Sequence, residues 1–353
     1  MRIVSVVAAL LLAAPALADN LELVATPDLG ASCDDMDPKP LAEAIDREVA
    51  KMQTMSGGLT FGRTQVSYKD YAQRTLAPLA ALARQGAGAL CPALKSRFGF
   101  WRNPGVGPGK FTAYQNPVVK ASRTKKGPYQ YPLYRRPPGP LASLTTAQII
   151  SGGLAGKGLE LIYLADGTEA NLVHVEGSAD VQLDDGTKIK ITSDGHNGQP
   201  YQNVSKLLMA DNKIPANQVT PLGMTRARKY FIDHPAELWT YWARNPHFVF
   251  FKEVTGAAAS GKFGELTAGR SLAVDPVYIP LGTAVWFRTK KPVVSGNAIA
   301  SWQPFGRVAL GQDTGSGIKG AGRVDVFYGS GDYAMAAAAK ADGAGEIYVL
   351  LAK

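Results

Sequence analysis

The stretch from Gly311 to Asp332 constrains the fold most, because Gly315, Gly317, Gly320 and Gly322 fall between two short apolar runs. Glycine admits positive φ and close backbone approach, so the pattern reads as strand, glycine loop, strand. Asp313 ends the first strand and Asp325 sits early on the second, which aims two carboxylates at one small region. Short strands are expected around it at 247–255, 271–275, 284–288, 307–311, 323–328 and 346–351, with an alanine-rich helix at 333–341. Many short strands with glycine crossings suit a compact barrel.

The rest of the chain is more mixed. After an Asp- and Pro-rich stretch at 34–40 that reads as a linker, Leu41, Ala44, Ile45, Val49 and Met52 have helical spacing. A second helix is expected at 70–85, kinked at Pro78 and stopped by Gly86. A short helix at 145–154 precedes strands at 159–164, 171–176, 181–183 and 188–192, which make a small β-rich unit with a hairpin turn at 184–186. Helices follow at 204–209 and 226–244, the second broken near His234 and Pro235. Trp239, Tyr241 and Trp242 at helical spacing read as packing.

Compartment follows from the start of the chain. Residues 1–18 combine Arg2, an apolar run at 3–12 and the small-residue site Ala16-Leu17-Ala18, the pattern of a secretory signal peptide. No cysteine follows that site, so a soluble exported protein is expected, not a lipoprotein. No other stretch reaches the roughly 20 apolar residues of a membrane span. Cys33 and Cys91 then form either a disulfide or two buried thiols. The 38 Lys and Arg against 29 Asp and Glu give a net charge of +9, which suits an anionic partner. Export argues against intracellular nucleic acid and leaves an anionic membrane surface or an anionic polymer. The basic, aromatic segment 120–140 reads either as a solvated loop or as the edge of a groove for an anionic glycan.

Several chemistries find no foothold. The four histidines lack metal-ligand spacing, no serine stands at a strand-to-helix elbow, and no phosphate or dinucleotide loop is present. No metal and no cofactor are therefore expected. Carboxylates remain, and glycosidic cleavage is carboxylate chemistry.

The run from Asp313 to Gly320, followed by Asp325-Val-Phe-Tyr-Gly-Ser-Gly, resembles the C-terminal 3D domain of the MltA family of lytic murein transglycosylases. Asn245 to Lys252 and Gly269 to Thr283 resemble two further blocks of that family. The resemblance implies a mainly β protein with flanking helices: a six-stranded double-psi β-barrel formed by 19–117 plus 245–353, with an inserted β-rich domain at 118–244. It implies a groove between them for a peptidoglycan glycan strand. With the signal peptide, a periplasmic location is expected, together with a monomer whose protein partners are other cell-wall enzymes.

The same resemblance makes Asp325 the catalytic acid and base. Asp313 becomes its support, orienting the glycine loop and Lys319. Substrate contacts are implied at Tyr114, Tyr134, Gly177, Ser178, Asn197, Lys319 and Asp332, although Asp332 is equally explained as a helix N-cap. Ala113, Gln115, Glu176 and Ala179 depart from the family pattern. Glu176 in particular replaces an amide donor by an acceptor-only carboxylate. Two alternatives follow: a wall-binding protein with an altered groove, and a hydrolase using Asp313 and Asp325 as a pair.

Overall fold

Six strands close on themselves in the computed structural model, which describes residues 21–215, 221–257, 259–295, 298–315 and 317–353. Asp342–Ala352 pairs antiparallel with Thr283–Ser295, which pairs in turn with Ala298–Asp313. Ala298–Asp313 runs parallel to Ser271–Val274, and Ser271–Val274 pairs antiparallel with Arg323–Phe327. Arg323–Phe327 then runs parallel to Gly109–Tyr114, and the start of Asp342–Ala352 returns to Gly109–Tyr114 to complete the circuit. Closure removes the unpaired edges that an open sheet would expose. This is the double-psi barrel implied by the sequence, with Gly109–Tyr114 as the strand contributed by the N-terminal half.

Glycine is needed where the barrel strands cross. A Cβ on Gly109 would stand 2.2 Å from the carbonyl oxygen of Gly322, so this contact between backbones excludes any side chain. Phe111, Leu272, Phe287, Leu310, Val324 and Val326 are buried in the core beside it.

The N-terminal segments pack on the barrel. The helix Lys39–Gln53 buries Leu41, Ala44, Ile45 and Met52, the stripe its spacing predicts. The helical run from Tyr68 to Arg84 passes through a π turn at Ala72–Leu76 just before Pro78, since proline has no N–H to return to the preceding turn. Cys33 and Cys91 are joined in a disulfide. The stretch 34–40 is not a linker. Asp34 is fully buried and takes two hydrogen bonds from Arg270, at 2.5 and 2.9 Å, while Asp35 pairs with Arg307 and Lys291.

A second sheet has the order Val249–Val254, Lys188–His196, Ser178–Leu183, Val118–Ser122, Glu160–Leu164, Tyr131–Tyr134. Val249–Val254 thus pairs with the inserted unit, although the expected division at 244 counted it with the barrel. The reason is apolar burial, since Val249 and Phe251 join Val119, Ile162, Val181 and Ile191 in one cluster. Trp242 belongs to the same cluster and Tyr241 to a neighbouring one with Leu208 and Phe231, so the helical aromatics do pack.

The expected strand at 171–176 is instead the helix Gly167–Glu176. Its N-cap, Asp166, accepts a hydrogen bond from the Thr168 backbone N–H at 2.7 Å, and Gly177 ends it in the left-handed conformation at φ 76°. These end signals outweigh the local alternation of Val173 and Val175.

Residues 1–20, which include the expected signal peptide, lie outside the described residues. Among the described residues no helix is long and apolar enough to cross a membrane.

Candidate active site

Alternation along Arg323–Phe327 turns Val324 and Val326 into the barrel core and leaves Arg323 and Asp325 on the opposite face. Register then builds the site. Asp325 is opposite Thr112 on one side and Ala273 on the other, and Ala273 is in turn the partner of Asp313. The two aspartates therefore share a face, separated by the strand that carries a small alanine. Thr112 Oγ1 donates to Asp325 Oδ1 at 2.5 Å, and the Tyr114 hydroxyl donates to Asp313 Oδ2 at 2.9 Å. The other Asp313 oxygen accepts the backbone N–H of Thr314 at 2.8 Å.

Burial dominates the electrostatics of both carboxyls. It pushes Asp325 up to about 6, against the nearby Arg323 charge and the Thr112 hydrogen bond, while Asp313 adds a smaller upward push. Asp313 is also raised by burial, against its bonds from Thr314 and Tyr114. Burial and the Asp313 charge together hold the Tyr114 phenol well above its ordinary range.

A cavity of about 1700 Å³ opens over these residues, with the second sheet and its helices as its far wall. The far wall carries Asn171, His174 and Glu176 from the helix Gly167–Glu176, together with Gly177, Ser178, Tyr201 and His247. Glu176 is pushed up to about 8, first by burial and then by the charge of Asp325, with the Gln115 backbone N–H pulling the other way. His174 accepts a hydrogen bond on Nδ1 from the Val249 backbone N–H at 3.3 Å and is held neutral, pushed down to about 3 by burial and by His247.

Two side-chain networks fix the walls. Ser178 Oγ donates to Asn116 Oδ1 at 2.8 Å, and the Asn116 amide donates to Asp180 and Ser330, which ties the inserted sheet to the barrel. Below the site, Asp275 Oδ2 accepts the Gly320 N–H at 2.8 Å and holds the glycine loop.

The residues expected from sequence divide into two groups. Asp325, Asp313, Tyr114, Gly177, Ser178 and Asp332 all line the cavity. Asp332 opens the helix Asp332–Lys340 from its first turn, while Gly331 occupies the N-cap position. Tyr134, Asn197 and Lys319 are elsewhere. Tyr134 is buried with Ile149, Leu154 and Phe250 in a separate cluster. Asn197 is buried, donating to the carbonyls of Leu144 and Pro246 and accepting from the Phe248 N–H, so a loop crossing consumes its whole amide. Lys319 is exposed and outside the cavity lining, and Asp275 takes the loop-holding role expected of Asp313.

The basic segment 120–140 contributes no residue to this lining either. Arg123 pairs with Glu253 and Lys126 with Asp184 on the outside of the insert. Thr112 was not singled out in the sequence, because only strand register brings it to Asp325.

A family model described as the MltA specific insert domain matches residues 110–252, and one described as the 3D domain matches residues 270–351. The chain is 30% identical over 244 residues to membrane-bound lytic murein transglycosylase A of Escherichia coli K12, a match covering 68% of this chain and 65% of that protein. The match thus spans slightly under two thirds of that relative's length. Among solved structures, the lytic transglycosylase LtgG of Burkholderia pseudomallei is 30% identical, with a TM-score of 0.60 over 95% of this chain and 96% of its own. Escherichia coli MltA with bound chitohexaose has a TM-score of 0.75 at 23% identity, covering 94% of each chain, a likeness of fold.

Proposed function

The chain belongs to the MltA family, and from that premise we propose that it is a lytic transglycosylase acting on the MurNAc-β-1,4-GlcNAc bonds of peptidoglycan. The groove between barrel and insert holds the glycan strand. Protonated Asp325 gives its proton to the glycosidic oxygen as the bond to C1 breaks. The C6 hydroxyl of the same sugar then closes on C1 and returns its proton to the Asp325 carboxylate. A 1,6-anhydro end forms, no water is incorporated, and the acid is regenerated. Attack from within the substrate supplies the proximity that a hydrolase must create with a bound water.

The observation that carries this reading is a carboxyl raised to about 6 by burial, facing a long open groove. Asp313 and Tyr114 act as positioning residues on the same wall, and Gly177, Ser178 and Asp332 as elements of the glycan-binding surface. Export through residues 1–18, action in the periplasm as a monomer and a groove that accepts chitohexaose belong to the same proposal.

Mass spectrometry of peptidoglycan digested by the mature chain and by Asp325→Ala tests it. Muropeptides one water lighter than reducing ends, absent with the variant, are expected. Reducing ends would replace this reading by hydrolysis with an Asp313 and Asp325 pair. Intact glycan bound without cleavage would replace it by a recognition role.

A further inference from the structure

Glu176 is a groove carboxyl that the reaction leaves unused. It is the last residue of the helix Gly167–Glu176, it lines the cavity on the insert wall, and it feels the charge of Asp325 across the groove. The negative end of a helix disfavours a carboxylate there, and so does the facing aspartate. Among the groups that shift it, no Lys or Arg offsets these effects. A carboxyl in this position keeps its proton, and with the proton it offers one O–H donor that a carboxylate lacks.

We propose that Glu176 is a substrate-binding residue whose protonated carboxyl donates a hydrogen bond to a sugar oxygen opposite Asp325, and that its ionisation loosens the glycan. The inference rests on the reading of the groove as a glycan site. It turns the apparent loss of a donor at this position into a donor that depends on pH. Burial pushes the Glu176 carboxyl up to about 8, so the donor is present at neutral pH and lost as pH rises through that value. Above it, the carboxylate also repels Asp325.

Other groups around Glu176 do not account for such a change. Tyr114 on the barrel wall and Tyr201 beside the helix are both raised above the ordinary phenol range by burial. His174 on the same helix is held neutral, and Asp325 has already ionised at about 6. Arg323 and Asp313 line the cavity on the barrel wall beside Asp325, while Lys206, Arg228 and His247 enter it from neighbouring segments of the insert.

The test is calorimetric titration of the mature chain with the N-acetylglucosamine hexamer from pH 6 to pH 9.5, beside Glu176→Gln and Glu176→Ala. A group ionising at about 8 weakens binding by about tenfold at pH 9, since one unit above its pKa about one molecule in ten keeps the proton. The unsubstituted chain should show that loss, Glu176→Gln should show none because an amide keeps its donor, and Glu176→Ala should bind weakly throughout. Thermal melts at pH 7 and pH 9 confirm that each variant is folded. A tenfold loss that persists in Glu176→Gln, a flat profile in the unsubstituted chain, or no binding by any form would overturn the proposal. Peptidoglycan digestion separates the two readings: anhydro ends with a flat binding profile sink only Glu176, and a tenfold loss without anhydro ends sinks only the transglycosylase.

Discussion

Thr112→Val should move the pH profile of cleavage upward. Thr112 Oγ1 donates to Asp325 Oδ1 at 2.5 Å, a hydrogen bond that favours the carboxylate over the acid. Valine has nearly the same shape and leaves the buried position filled, so the change removes the donor and little else. A hydrogen bond to a charged group contributes about 1.5–3 kcal/mol, and one pKa unit corresponds to about 1.4 kcal/mol. Because the neutral acid also accepts a bond from threonine, the lower end applies, and the Asp325 carboxyl should rise by about one unit.

The sign of the effect follows from the role of the acid. In the proposed mechanism Asp325 is protonated when substrate binds, so kcat/KM should fall as pH rises through about 6 in the unsubstituted chain. In Thr112→Val the fall should come near pH 7, and at pH 8 about tenfold more enzyme would carry the proton. The assay is the initial rate of anhydro-muropeptide release across pH 4.5–9, with Thr112→Ser as the control that keeps the donor. A falling limb that stays in place in Thr112→Val, or moves to lower pH, would refute the assignment of Asp325 as the acid governed by this contact.

Two further predictions concern stability. Glu48 is fully buried in the helix Lys39–Gln53; Oε2 accepts from the Gln312 amide at 3.1 Å, Oε1 has no partner among the described residues, and burial pushes the carboxyl up to about 8. Its folded pKa is above the ordinary 4.5, so the stability that Glu48 contributes is fully present below about 4.5 and is lost as pH rises towards 8. Glu48→Gln should therefore raise stability at pH 7 by about 3 kcal/mol and flatten its dependence on pH, as measured by denaturant unfolding; equal slopes for the two proteins would count against it. The Cys33–Cys91 disulfide closes a loop of 58 residues, for which chain entropy gives about 4 kcal/mol. A paired Cys33→Ser and Cys91→Ser variant should lose about that much in the same assay, and a loss under 1 kcal/mol would show that the ion pairs of Asp34 and Asp35 anchor the segment without the disulfide.

The barrel and its two aspartates were legible because glycine and carboxylate carry their meaning locally. The loop 315–322 needs glycine at Gly320, which has φ 108°, and at Gly322, where a Cβ would stand 2.9 Å from the Gly109 Cα, and Asp313 and Asp325 flank it in sequence as they do in space. What was missed depends on distant partners. The run 34–40 read as a linker because Arg270 lies 236 residues from Asp34 and Arg307 lies 272 from Asp35. Thr112 and Asp325 are 213 residues apart and meet only through parallel pairing. Tyr134 and Asn197 stand in recognisable sequence blocks, yet burial and hydrogen bonding make them structural. The helix 167–176, expected in part as a strand, is the opposite case, since the residues that end it, Asp166 and Gly177, adjoin it in sequence.

Register also bears on whether one carboxyl or two perform the chemistry. Asp313 and Asp325 lie on strands either side of Ala273, so their backbones are roughly 9–10 Å apart at the usual strand spacing. A retaining glycosidase needs its two carboxyl groups about 5–5.5 Å apart, which would require both side chains to lean across Ala273. Asp313 is held otherwise, with one oxygen bound to Tyr114 and the other to the Thr314 N–H. Among the described residues Asp325 accepts a hydrogen bond from Thr112 on Oδ1, which leaves Oδ2 for the groove. An inverting arrangement tolerates wider spacing but requires a base ready to activate water, and an Asp313 carboxylate saturated by two donors is a poor one. The geometry therefore favours one working carboxyl, and a single acid suffices only where the substrate provides its own nucleophile.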